Sequence, residues 1–344
     1  MTRSFYEDQY IDFFVEYYIK LGFDHIFIIK TDNIPINASK YGDRVTIMID
    51  SGIEHPNSIL TKYMNTIKNK NVYDWMLHVD VDEFLMLKNN NIKIFINGLN
   101  EEIINVRFNW GLVEKLDNSD LSLNEIVSDY PIIKDRFVKS MAKLKYVKDI
   151  PCPHSFRFIT NVVNSYPQCH HGSIIPYDQL GLYDNDNFIL HVHTRSLNNM
   201  LLKSFVTNFV RKEIVHGEKM NEFINKYADV EINNDIYIEL SNIIGVKMQL
   251  PHNHYYKNSE NITNSQIVLK KFNTRFCDHE KEKKILYEII EKKGYDMRLL
   301  KIINRMNEKF IETKKLGHYI YLVPRDFNSE EYVQHNGDLK HMNK

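Results

Sequence analysis

Three short apolar runs, each closing on an aspartate, constrain this chain more than any other feature. His25-Ile26-Phe27-Ile28-Ile29 leads into Lys30-Thr31-Asp32-Asn33; Val45 to Ile49 stops at Asp50; Trp75-Met76-Leu77-His78-Val79 runs directly into Asp80. Apolar runs this short, bounded by polar residues, read as buried strands. Between them lie helical patterns. Ile11, Phe14, Val15, Tyr18 and Ile19 share one face, with Gly22 where a C-terminal cap belongs. Leu60, Tyr63, Met64 and Ile67 mark a second helix. Alternating strand and helix predicts an α/β fold with a parallel sheet flanked by helices. Ligands of such sheets bind beyond the carboxyl ends of the strands, where Asp32, Asp50 and Asp80 all fall. Core packing does not account for acidic residues at successive strand ends.

Further along, Ile103 to Trp110 and Phe137 to Val147 read as strands, and Phe188-Ile189-Leu190 as a short one before His191-Val192-His193-Thr194-Arg195-Ser196. Residues 115–130 and 164–187 read as loops. Leu201, Leu202, Phe205, Val206 and Phe209 suggest a helix capped by Ser196. Segments 281–293 and 296–310 are charged amphipathic helices joined around Gly294. The expected organisation is a first domain over 1–227, a helical extension over 228–326, and a tail or opening of a further module over 327–344. The late helices are expected to dock on the first domain or to pair two chains as a homodimer.

Composition narrows the function classes. With 44 basic and 45 acidic residues the net charge is -1, which argues against a dedicated nucleic-acid binder. Cys152, Cys169 and Cys277 are odd in number and widely spaced, which disfavours a disulfide framework and points to a reducing, cytoplasmic compartment. Met1 to Asp8 lacks the apolar core of a signal peptide, and no apolar run is long enough to span a membrane.

Asp80-Val81-Asp82-Glu83 carries the most chemistry. Aspartates at i and i+2 of an extended chain point to one side, so both carboxylates can serve one hard cation. Mg²⁺ or Mn²⁺ takes carboxylate oxygens and leaves positions for diphosphate oxygens. The bland alternative is a solvated strand end or a helix cap formed by Asp82. Glu83 is expected to bond a backbone amide or orient an aspartate, and Phe84-Leu85 to turn back into the core.

The chain resembles family 92-like glycosyltransferases, a branch of the GT-A superfamily related to family 2. The resemblance rests on Tyr18 to Ile26, on Trp75 to Phe84 with its Asp-x-Asp-Glu-Phe block, and on the strand Asn105 to Trp110. Arg136-Phe137, Pro153-His154 and His191 to Ser196 follow in the same order. It covers roughly residues 7–212. It implies a GT-A-like, mixed and mostly parallel sheet flanked by helices, a nucleotide-sugar donor, often UDP-linked, and Mn²⁺ or Mg²⁺. Asp80 and Asp82 match its metal motif, His191 its late histidine, which holds the metal or diphosphate, and Asp32 and Asn33 its nucleotide loop. The sequence departs from the family in three places. Only Met1 to Ser4 precede the first helix, so the first strand reads as truncated or lost. Gly111-Leu112 stands where Phe-Gly is usual, and the end of the chain from Phe327 looks like the start of another module.

Other residues are ambiguous. Arg195 suits diphosphate oxygens or plain solvent. Trp110 suits a sugar face of the acceptor or the core. His154 suits the acceptor or loop structure. An inverting transferase needs a carboxylate base; Glu114, Asp117, Asp135 and Asp178 are all candidates, with Glu114 and Asp178 put forward. The leading expectation is a metal-dependent transferase acting on a glycan or protein-linked acceptor. A metal-dependent phosphoesterase or nucleotidyltransferase, or a non-catalytic carbohydrate-binding derivative, are the alternatives.

Overall fold

A computed structural model describes residues 1–32, 35–50, 54–114, 123, 127, 132–168, 174–194, 202, 217–244, 279–292 and 294–315. The chain divides into two compact units, Met1–Arg195 with Asn253–Lys281, and Ser196–His252 with Glu282–Lys344.

The first unit is mixed α/β. Strand β1 (Thr2–Ser4) leads to helix α1 (Asp8–Lys20), β2 (Ile26–Lys30), β3 (Val45–Ile49), helix α2 (Pro56–Asn69) and β4 (Trp75–Leu77). Strands β1, β2 and β3 form a parallel sheet in the order β1-β2-β3. The nitrogen of Met1 donates to the Leu77 carbonyl at 2.8 Å, and Val79 N donates to the Met1 carbonyl at 3.2 Å. That is the pattern of a parallel bridge opposite His78, so β4 runs beside β1 in the same direction. The strand order on this side is therefore β3-β2-β1-β4. The first strand, expected as lost, is present: three residues suffice because β2 and β4 flank it.

Beyond β4 the sheet becomes mixed. Strand β5 (Glu83–Met86), a short helix α3 (Ile92–Asn97) and strands β6 (Asn105–Glu114), β7 (Ile133–Lys143) and β11 (Phe188–Thr194) come next in the chain, the strands lying in the spatial order β4-β7-β6-β11-β5. β7 is antiparallel to both β4 and β6, β11 is parallel to β6, and β5 is antiparallel to β11. β8 (Val147–Cys152) and β9 (Ser155–Phe158) make a separate hairpin, and β10 (Ser165–Tyr166) adds to the start of β6.

Helices cover the two faces of the β1–β3 sheet. Along β2, Ile26 and Ile28 pack in the cluster that holds α1, whereas Phe27 and Ile29 pack with Ile59, Leu60, Met64 and Ile67 of α2. Period-2 alternation of an all-apolar strand feeds both layers. Helix α1 buries Tyr10, Phe13, Phe14, Tyr17 and Tyr18, which recur at helical spacing. Gly22 ends it with φ +99°, a conformation that costs glycine little. Its tyrosines also reach β5. Tyr17 Oη donates to the Leu85 carbonyl at 2.7 Å, and Tyr18 Oη donates to the Glu83 carbonyl at 2.9 Å. Helix α1 thus fixes the strand that follows the acidic block.

The second unit holds helices α4 (Gly217–Tyr227), α5 (Asn234–Ile244) and α7 (Arg298–Lys315), together with α6 (His279–Lys292) from Glu282 onward. Met220, Phe223, Ile224 and Tyr227 of α4 are buried. Arg305 on α7 donates to the Tyr227 and Ala228 carbonyls at 2.9 and 2.6 Å, capping α4. Tyr227 closes α4 within this unit, at a helix end tied to α7. Gly294 takes φ +71° between α6 and α7, at the joint expected from the sequence. Among the described residues, no helix is long and apolar enough to cross a membrane. The helix expected over 201–209, apart from buried Leu202, and the segment from 327 lie outside the described residues.

Candidate functional site at the acidic turn

The block Asp80 to Glu83 is a turn, not a continuing strand. Glu83 N donates to the Asp80 carbonyl at 3.1 Å, and Val81 is buried in the core. The expectation that Asp80 and Asp82 point to one side of an extended chain is therefore corrected. The reversal sends the two carboxylates to different partners.

Asp80 faces a lysine that sequence reading did not single out. Lys139, on β7 and 0% exposed, places Nζ 2.7 Å from Asp80 Oδ2 and 3.0 Å from Glu83 Oε2. Glu83 Oε2 also accepts from Asp80 N at 2.8 Å, so Glu83 binds the backbone of the turn and the ammonium together. β4 and β7 are antiparallel neighbours, with Leu77 opposite Met141. That register brings Lys139 alongside the residues that follow β4. Burial works against the Asp80 carboxylate, yet Lys139 outweighs it and holds its pKa down to about 2. The side chain of Asp80 is 45% exposed, and that of Glu83 is fully buried. Burial pushes Glu83 up to about 7 against the pull of Lys139. Burial also disfavours the ammonium, but Asp80 and Glu83 together raise its pKa above the ordinary lysine value.

Asp82 meets a different partner. Its Oδ1 lies 3.6 Å from His191 Nε2, and Val192 N donates to its carbonyl at 3.0 Å. The antiparallel β5–β11 register, with His191 opposite Glu83, makes this meeting obligatory. His191 in turn packs on Trp110 with ring centroids 4.3 Å apart, and Trp110 packs on Phe137 at 5.1 Å and His154 at 5.2 Å. Trp110 thus presents its ring to protein neighbours, and its buried indole N–H meets no acceptor among the described residues. It sits at a break in the β6–β7 ladder, between Asn109 opposite Val138 and Gly111 opposite Lys134. Bulges of this kind re-aim side chains beside functional sites. Gly111 allows it: a Cβ there would stand 2.6 Å from Ile132 Cγ2 and 2.7 Å from the Phe188 ring.

Two further histidines surround Lys139. His154 Nδ1 contacts the Val138 carbonyl at 3.0 Å, and His78 Nδ1 the Pro153 carbonyl at 3.2 Å. Burial, reinforced by the Lys139 ammonium, lowers His78 to about 3 and His154 to about 4, so both imidazoles are neutral near pH 7.

The other acidic strand ends do not join this turn. Asp32 is enclosed: its carboxylate pairs with Lys30 Nζ at 2.5 Å and accepts from Tyr6 N at 2.6 Å, while Lys30 also pairs with Asp8 at 2.7 Å. It anchors Tyr6, which takes φ +58° at the end of β1. Asp50 is buried and pairs with Lys62 at 2.9 Å. Strands β2 and β1 separate its strand from β4, roughly 14 Å across three strand spacings. Asp135, weighed as a base, is buried with its pKa raised by burial, and its Oδ1 accepts from Phe137 N at 2.8 Å. Glu114 ends β6 and Asp178 falls in the 3-10 turn Tyr177–Leu182, but their side chains lie outside the described residues, as do Asn33, Asp117 and Arg195.

Among the described residues, no three His, Cys, Asp or Glu side chains come together as a metal cluster. The expected trio of Asp80, Asp82 and His191 is split into a lysine-bound aspartate and an aspartate–histidine pair. The chain matches no family model and no curated protein.

Proposed function

We propose that this chain is a metal-dependent glycosyltransferase with a GT-A-like domain, moving a sugar from a nucleoside-diphosphate donor, UDP-linked, to a glycan or protein-linked acceptor. One observation carries the reading: the turn Asp80–Glu83 sits at the carboxyl end of β4, with Asp82 against His191 and Asp80 kept ionised by a buried ammonium. The strand order supports it. In β3-β2-β1-β4 the order reverses between β1 and β4, and ligands of open α/β sheets bind in the crevice at such a switch point.

The residues fit Mg²⁺ or Mn²⁺. Asp82 Oδ1 and His191 Nε2 stand 3.6 Å apart, close to the roughly 3 Å between neighbouring donors of one small octahedral ion. Such ions keep few protein ligands and take phosphate oxygens and water for the rest. When bound, the metal neutralises charge developing on the leaving diphosphate. The chain's own residues hold the ends of that arrangement. Lys139 and Glu83 fix the turn, and Trp110 and His154 wall the side of His191.

The test is a panel of nucleotide sugars with Mn²⁺, run on the wild type beside Asp82→Ala. Metal-dependent transfer or donor hydrolysis, lost in the variant, is the expected result. Absence of any thermal shift with nucleoside diphosphates plus metal sinks the reading. Phosphate release from simple esters without a sugar donor points instead to a phosphoesterase.

A further inference from the structure

We infer that Lys139 is a positioning residue, a resident cation that withholds Asp80 and Glu83 from the metal, so that the acidic turn offers a divalent ion Asp82 and His191 alone. The inference rests on the metal-dependent reading above and assigns which half of the acidic block does what.

Three carboxylates within four residues would ordinarily gather round one hard cation. Here a cation is already built in. Lys139 is wholly enclosed, and it lies 2.7 Å from one oxygen of Asp80 and 3.0 Å from one oxygen of Glu83. Glu83 is further committed to the Asp80 amide at 2.8 Å. A divalent ion on the remaining oxygen of Asp80 would share that carboxylate with the ammonium and meet its repulsion across a protein interior. Asp82 Oδ1 stands 3.6 Å from His191 Nε2. Two protein donors leave most of an octahedral shell vacant. The metal is therefore held firmly only as its complex with a diphosphate, whose oxygens complete the shell. Lys139 shapes this selectivity without touching the ligand itself.

Mn²⁺ binding in the presence of UDP, followed by electron paramagnetic resonance, tests this without any transfer assay. Asp82→Asn is expected to weaken Mn²⁺ binding by about tenfold or more. Asp80→Asn is expected to weaken it clearly less than Asp82→Asn does, because Asp80 pairs with Lys139 and is no ligand. Lys139→Met is expected to tighten Mn²⁺ binding, since it removes the cation that competes for Asp80; loss of a merely structural residue has no reason to tighten it. If Asp80→Asn costs as much as Asp82→Asn, Asp80 ligates and the inference is overturned while the transferase reading stands. If Lys139→Met folds and binds Mn²⁺ no more tightly, the inference is also overturned. Failure of the wild type to bind Mn²⁺ with UDP defeats the underlying reading and this inference with it. The two aspartate variants keep the lysine in place, so the comparison holds even where Lys139→Met fails to fold.

Discussion

Replacing Lys139 with methionine keeps an unbranched apolar stem and removes the ammonium from the centre of the acidic turn. The ammonium is 0% exposed and touches Asp80 at 2.7 Å and Glu83 at 3.0 Å. The cost divides into two parts with different pH dependence. Asp80 falls from its ordinary 3.8 to about 2 in the fold. That drop is equivalent to roughly 2 kcal/mol, and halving it for the exposure of its side chain leaves about 1 kcal/mol lost at any pH above 4. Glu83 behaves oppositely. Its folded pKa of about 7 exceeds its ordinary 4.5, so the fold prefers the protonated acid. Below pH 4.5 this preference is fully present, and it is lost as pH rises through 7. Without Lys139 the glutamate stays protonated further, so each pH unit above 7 adds up to about 1.4 kcal/mol. The variant should therefore be less stable by about 1 kcal/mol at pH 5 and by about 3 to 4 kcal/mol at pH 9, the latter within the range for a broken buried ion pair. Urea unfolding read by tryptophan fluorescence is the assay, because both tryptophans, Trp75 and Trp110, lie in the first unit. A loss that stays constant between pH 5 and pH 9, or one below about 0.5 kcal/mol at pH 9, refutes the placement of a buried ammonium between these carboxylates.

Gly111→Ala should destabilise the first unit by about 1 to 3 kcal/mol, since its Cβ would overlap Ile132 and Phe188; an unchanged urea midpoint contradicts that packing. The stability of the wild type should fall as pH drops below 6.5, because His78, held to about 3, refuses a proton that the unfolded chain accepts. His78→Gln should reduce that slope by as much as about 1.4 kcal/mol per pH unit, and an identical acid limb in both proteins counts against it. Asp32→Asn should cost about 2 kcal/mol and speed hydrogen exchange at the Tyr6 amide, which its carboxylate accepts at 2.6 Å; unaltered exchange there would place Asp32 elsewhere.

What the sequence made legible was local. The aromatic face of α1, the run Val45 to Ile49 and the turn of Phe84-Leu85 into the core follow from periodicities a few residues long. The partnership of Asp82 and His191 crosses a far longer separation, and the sequence pointed to it only through the order of the resembling blocks. Lys139 was missed, although its setting carried a signal. Val138-Lys139-Ser140-Met141-Ala142 is buried residue after residue, as befits a strand with β4 on one side and β6 on the other. A lysine in such a strand cannot snorkel to water and must meet a carboxylate. Which carboxylate depends on a register between residues 59 positions apart, and no local pattern encodes that. The error over Asp80 and Asp82 has the same root. Alternation puts i and i+2 on one side only while a strand continues. Here Glu83 N returns to the Asp80 carbonyl and β5 then departs along β11, not along β4. An acidic pair at a strand end therefore marks a cation site more reliably than it names the cation's ligands. In this chain the first aspartate already has a cation of its own, and Glu83 serves that same ammonium.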